Sequence, residues 1–258
     1  EKGYFITASY ADTYRVFSNN ADSAWVDAEG NVKMPEVVKT WMTQAETYVK
    51  NGYTKTDGLW DAGKTAEFKN DGKAFCTFGP AWYYNFSMGT AMGSGTASSA
   101  PKKTDDGNSW GDWAVIQGPQ SFFWGGTWML AATGGDDDEL VAKTMNAFLN
   151  NDEICEKLVK DEGQFSNNKT VNEKVANEYE AAKKGNLFLG GQNDTKIWVD
   201  MADSIKFQNN TIYDQQCNEG LQTAYVKYLK KELSTKDDAI KDFYSSLRTA
   251  FPNLKVPQ

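Results

Sequence analysis

Between Pro35 and Gly52 the apolar residues Val38, Trp41, Met42, Ala45, Tyr48 and Val49 recur at intervals of three and four, the period that lines one face of an α-helix. Proline suits the first turn and glycine the residue after the last, so the helix has both a start and a stop. The stripe reads as core. The same period returns in Leu140, Val141, Met145, Phe148 and Leu149, in Ile154, Leu158 and Val159, in Leu221, Ala224, Tyr225, Tyr228 and Leu229, and in Ile240, Phe243 and Leu247. Each of these runs has a start signal. The acids Asp136 to Glu139 favour the positive end of a helix dipole, Asn151 can cap, Tyr213-Asp214-Gln215 opens a long helix, and Thr235 with Asp238 forms a capping box for the last one, which Pro252 ends. Thr170 with Glu173 predicts a further capping box.

Strand signals are shorter. Tyr4 to Ile6 reads as a strand, Trp25 to Val32 as a hairpin turning at Glu29-Gly30-Asn31, Lys73 to Phe78 as a buried strand broken by Gly79-Pro80, and Trp113 to Ile116 as another. The segment Ser9 to Arg15 fits two readings at once. It can start a helix, with Asp12 or Thr13 as N-cap and Tyr14, Val16 and Phe17 turned inward, and its polar aromatics can face a ligand. Residues 89–109 are rich in Gly, Ser, Thr and Ala and predict a mobile surface loop.

Aromatic residues cluster where elements end. In Phe122-Phe123-Trp124-Gly125-Gly126-Thr127-Trp128 two indoles bracket a glycine pair. Glycine lets backbone approach a ligand closely, and an indole offers a flat apolar face with one donor, a combination that suits a sugar ring and its hydroxyls. A core strand followed by a turn fits the same letters. Trp82 follows a predicted strand end, where ligands gather in open α/β sheets, and it also fits helix core. Leu187 to Asp194 repeats the logic, with paired glycines followed by Gln192 and Asn193; a polar turn is the plainer reading.

Composition narrows the chemistry. The 258 residues contain no histidine, which removes the usual general base and the commonest metal ligand, and with them Ser-His-Asp, Cys-His and HExxH chemistry. A net charge of −8, with Arg15 and Arg248 as the two arginines, argues against nucleic acid as a partner. Cys76, Cys155 and Cys217 are too widely spaced for a metal knuckle and odd in number, so buried free thiols are expected. Gly58 to Thr65 matches GxxxxGK[ST] letter for letter, yet Tyr53 to Asp57 before it is polar and Trp60 and Asp61 put bulk and negative charge where phosphates would sit; a loop leading into a helix around Ala66 and Phe68 is expected instead. No window is long and apolar enough to span a membrane, and Glu1-Lys2-Gly3 reads as the start of a processed or cut chain.

Taken in order, Asp12-Thr13-Tyr14-Arg15-Val16-Phe17-Ser18-Asn19-Asn20, Phe78-Gly79-Pro80-Ala81-Trp82, Gly111-Asp112-Trp113, Trp124-Gly125-Gly126-Thr127-Trp128, Phe188-Leu189-Gly190-Gly191-Gln192-Asn193 and Tyr213-Asp214-Gln215 resemble the extracellular solute-binding proteins of carbohydrate ABC transporters, family 1, related to the maltodextrin-binding proteins. The resemblance covers nearly the whole chain. It implies an α/β, periplasmic-binding-protein-like fold of type II, in which two hinged lobes close on a sugar or oligosaccharide and present it to a membrane permease. It also implies a fragment lacking most of the N-terminal lobe: residues 1–128 and 172–258 would belong to the C-terminal lobe and the helical residues 129–171 to the other. Location would be extracellular, as an anchored lipoprotein, or periplasmic, and the protein a monomer without catalytic residues, metal or cofactor. Mapped residue by residue, the resemblance puts Tyr10, Asp12 and Tyr14 at the first ligand-facing segment, Trp82 and Trp124 as stacking platforms, Gly125 and Gly126 as close-approach backbone, and Gln192, Asn193 and Asp214 against hydroxyls. Two other readings stand beside it. Aromatic platforms with carboxylates such as Asp12 and Asp214 also fit a glycoside hydrolase, if two carboxyls face each other about 5–10 Å apart. A non-transport carbohydrate-binding module would show an exposed flat aromatic strip.

Overall fold

A computed structural model describes residues 3–69, 71–91, 109–132, 134–135 and 137–258. In chain order they form β1 (Phe5–Thr7), α1 (Tyr14–Ser18), α2 (Glu36–Lys50), α3 (Ala62–Ala66), β2 (Ala74–Cys76), a π-helical turn (Tyr84–Met88) running into the single turn α4 (Gly89–Ala91), α5 (Asp138–Leu149), α6 (Asp152–Lys160), α7 (Lys169–Ala182), a 3₁₀ turn (Leu187–Leu189), α8 (Asp194–Ala202), α9 (Asp214–Leu229) and α10 (Lys236–Ala250). Helix dominates. Among the described residues the sheet consists of β1 and β2 alone, parallel, with Phe5 opposite Ala74 and Thr7 opposite Cys76. The chain divides into two compact units, one made of Glu1–Glu67, Asp71–Phe78 and Lys206–Gln258, the other of Phe68–Asn70 and Gly79–Ile205.

The first unit is built on the stripe of α2. Val38, Trp41, Met42 and Ala45 are buried against Leu221, Ala224 and Tyr225 of α9, with Phe243 and Leu247 of α10 in the same cluster. Trp41 is the hub, with the ring of Tyr14 edge-on at 4.6 Å and that of Tyr225 at 5.7 Å. Each large apolar side chain removed from water in this way contributes about 1.5–3 kcal/mol. The helix ends follow the sequence: α10 carries the Thr235/Asp238 capping box, and α2 stops at Lys50 before Gly52, whose φ of +68° suits glycine. The predicted hairpin closes through an antiparallel bridge from Val26 to Val32, with the Asp27 carboxylate accepting from the backbone of Glu29 and Asn31. Two expectations change. The strand β2 is not buried, since Phe75 is 79% exposed on a sheet of only two strands. Helix α1 starts at Thr13 with no side-chain cap, because the Thr13 hydroxyl donates to Gln44 and the Asp12 carboxylate is occupied elsewhere.

The second unit has an aromatic core, with Phe68, Tyr83, Tyr84, Met88, Phe188 and Leu189 buried and Trp82, Trp110, Trp113, Trp124 and Trp198 packed partly buried around them. A smaller cluster of Cys155, Val159, Val171 and Val175 joins α6 to α7. Asn151 caps α6 as expected. Helix α7 begins earlier than the Thr170/Glu173 signal predicts, because Asn168 supplies the cap to Val171 N–H at 3.1 Å. No strand forms at Trp113 to Ile116. There the Gln192 amide accepts from Val115 N–H at 2.7 Å and donates to Val115 C=O at 2.6 Å, making with one side chain the bonds a neighbouring strand would make. Helix α5 forms, with Asp137 as N-cap, yet none of its residues is buried: Leu140 and Phe148 are more than half exposed. Most of the loop expected at 89–109, and Asp136 in the acidic run, lie outside the described residues.

Candidate functional site

The expected site residues fall into separate neighbourhoods of the two units. In the first unit Tyr10 and Tyr14 sit in the core around Trp41, their hydroxyls donating to Gln222 C=O at 3.1 Å and to Asn218 Oδ1 at 2.6 Å. Burial raises both phenols above their ordinary range, so they remain neutral donors. Asp214 opens α9, half-buried, and accepts from the Thr211 hydroxyl at 2.6 Å; burial raises its carboxyl.

Asp12 has a different setting. It is 2% exposed, accepting from Ser9 N–H at 3.0 Å and the Thr77 hydroxyl at 2.9 Å, and it is bonded to Lys64, whose side chain is also fully enclosed. Lys64 is the lysine of the GxxxxGK[ST] match. Its ammonium is the counter-ion of a buried carboxylate, which leaves that stretch no phosphate-binding role.

In the second unit Trp82, Trp124 and Gly125 come together. The Trp82 indole donates to Trp124 C=O at 2.9 Å, the two rings meet at 5.4 Å and 64°, and Tyr83 lies 6.1 Å from Trp124 at a shallow 30°. Gly125 and Gly126 have φ of +69° and +107°, backbone that glycine adopts without strain, and a Cβ on Gly125 would rest 3.6 Å from the Trp82 ring. Beyond this turn the chain is exposed, with Trp128 at 76%. Gln192 clamps Val115, and Asn193 caps α8 while donating to Ala176 C=O at 2.9 Å.

The second unit also contains a cavity of about 420 Å³, partly open to solvent, that draws on α6, α7, α8 and the Gly185 to Leu187 turn. Its aromatic lining is Tyr84, Trp110, Tyr179 and Trp198, and its polar lining includes Asp194, Asn186, Gln164 and Lys160. Asp194, 5% exposed, accepts from the Tyr84 hydroxyl and from Asn186 Nδ2 at 3.4 Å. Burial, and then the Asp194 charge, push the Tyr84 phenol well above its ordinary range and keep its proton in place. Sequence reasoning missed these residues. Asp194 stood in what read as a polar turn, and the tryptophans are scattered over nearly ninety positions, so only the fold brings them together.

The three cysteines are free, and burial raises the thiols of Cys76 and Cys217, the latter to about 12, which keeps both protonated and unreactive at neutral pH. No helix among the described residues is long and apolar enough to cross a membrane.

No protein-family model matches this chain, and no curated protein is similar to it in sequence. A crystal structure of an extracellular solute-binding protein family 1 shares its fold, with a TM-score of 0.71 at 16% sequence identity over 95% of this chain. This chain spans 59% of that protein's length.

Proposed function

We propose that this chain is a solute-binding protein of a carbohydrate importer: it holds a sugar or oligosaccharide and hands it to the permease of an ABC transporter. The observation that carries this reading is the Trp82–Trp124 pair beside the left-handed turn at Gly125 and Gly126, set on a fold shared with a solute-binding protein. Two indoles meeting edge to face, with an adjacent bare backbone, suit the apolar face and hydroxyl rim of a pyranose. In this reading residues 1–128 and 172–258 belong to one α/β lobe of a type II binding protein and 129–171 to the other. The exposed apolar residues of α5 then belong to a face that the rest of that second lobe covers. Ligand bridging two lobes favours their closed state by its differential affinity, and the permease reads that state. The protein acts as a monomer on the outer side of the cytoplasmic membrane, lipid-anchored or periplasmic. Enclosure of Asp12 in its ion pair favours binding over hydrolysis, since a glycosidase carboxylate must reach the scissile bond.

Calorimetric titration against mono- and oligosaccharides, with Trp124→Ala in parallel, tests the reading. Saturable heat without turnover is expected, weakened roughly tenfold or more in the variant, the equivalent of about 1.4 kcal/mol of stacking. Sugar binding that ignores Trp124→Ala, or hydrolysis of an oligosaccharide, would overturn it.

A further inference from the structure

The cavity of the second unit holds a charge that nothing around it balances. Asp194 is a carboxylate 5% exposed, and its partners are a phenol, Tyr84, and an amide, Asn186, both neutral. Its place in the first turn of α8 adds only the partial positive charge of a helix start. The lysine in the cavity lining, Lys160, is bonded to Glu156 and Glu178, and Lys196, two residues along α8, is bonded to Asp200. No cation pairs with Asp194 among the described residues. An ionised carboxylate out of water without a counter-charge is costly, whereas one that meets a cation in an enclosed site gains strongly.

The walls suit that missing cation. Tyr84, Trp110, Tyr179 and Trp198 present four aromatic rings to a space of about 420 Å³. The faces of such rings attract ammonium groups and, unlike water, do so without competing for the carboxylate. One unpartnered polar atom belongs to a residue that holds the cavity wall. Asn85, 2% exposed, donates through its amide nitrogen to C=O of Gly163, a lining residue, and leaves its Oδ1 without a partner.

We infer that this cavity is a binding site for an organic ammonium ion, with Asp194 as counter-ion and the aromatic rings as its cage. An amino sugar, which joins an ammonium to neighbouring hydroxyls, is the form of that ligand that uses the polar lining at Gln164 too. The inference rests on the solute-binding reading for the ligand's being a small solute, but not for the Trp82–Trp124 surface.

Titrating the 258-residue chain with glucosamine, tetramethylammonium, glucose and N-acetylglucosamine, read by calorimetry and tryptophan fluorescence, tests it. Glucosamine and tetramethylammonium are expected to saturate the site, with the two neutral sugars at least tenfold weaker there. Asp194→Asn, which keeps an acceptor for Tyr84, should weaken both cations at least tenfold and leave binding that depends on Trp124 unchanged; Tyr179→Leu should weaken tetramethylammonium several-fold. Circular dichroism establishes that each variant is folded. Failure of both cations to bind, equal binding of glucose and glucosamine at this site, or unchanged cation affinity in folded Asp194→Asn overturns the inference. Neutral sugars binding through Trp124 while cations do not would sink this inference and leave the sugar reading standing; cations binding while no neutral sugar does would do the reverse.

Discussion

Two carboxylates are buried to nearly the same degree in the two units, Asp12 at 2% and Asp194 at 5%, and they are treated in opposite ways. Asp12 meets a fully enclosed lysine, a hydroxyl and a backbone N–H, so its charge is neutralised and its lone pairs are engaged. Asp194 meets neutral donors and borders open space. A closed ion pair is a structural element, whose removal damages the fold, whereas a buried charge next to a cavity is a liability to stability that a ligand can offset.

Asp12→Asn is the most severe test of that contrast. It removes the carboxylate charge that faces the fully enclosed Lys64 and should destabilise the first unit by about 3–5 kcal/mol in urea unfolding. A loss below about 1 kcal/mol would mean that the pair is not the closed unit described. Thr235→Ala removes a cap remote from either carboxylate and sets an intermediate scale, about 1 kcal/mol. Asp194→Asn should cost nothing and can gain up to about 1 kcal/mol in the absence of ligand, because it removes a charge without stranding a partner. A loss as large as that of Asp12→Asn would erase the distinction between the two sites.

The smallest effect concerns an exposed carboxylate. Hydrogen bonds from Lys160 and then Lys174 hold the Glu156 carboxyl down to about 2. A depressed carboxyl contributes stability above its unfolded value, near 4.5, and loses it as pH falls toward 2. The difference in urea midpoint between the chain and Glu156→Gln should therefore be small at pH 5.5, where solvent screens the pair, shrink as pH falls, and vanish only below about pH 2.

Helices were the most legible part of the sequence. The stripe from Val38 to Val49 and the Thr235/Asp238 box are local patterns that need only their own neighbours to form, and the structure has both. What failed depended on partners distant in sequence. Trp113 to Ile116 has the composition of a strand but finds the Gln192 side chain where a strand would lie, and Lys73 to Phe78 pairs on one edge only. The Thr170/Glu173 signal lost to Asn168, a cap of equal chemistry two residues earlier. Among the candidate site residues, Trp82 and Trp124 were found from their neighbourhood in the chain and do meet. Tyr84, Asp194 and Trp198 carry no local signature, since a lone tyrosine, a helix-start aspartate and one more tryptophan are ordinary letters until packing gathers them around one space.

The clamp of Gln192 on Val115 has a bearing on how this protein stays apart from its own copies. An extended segment with unpaired backbone groups is a template on which another chain can add as a strand, and the apolar neighbours Trp113 and Ile116, the latter 82% exposed, would make such an edge adhesive. By occupying both backbone groups of Val115 the Gln192 amide caps that edge from within the molecule, a guard against aggregation made of a single side chain.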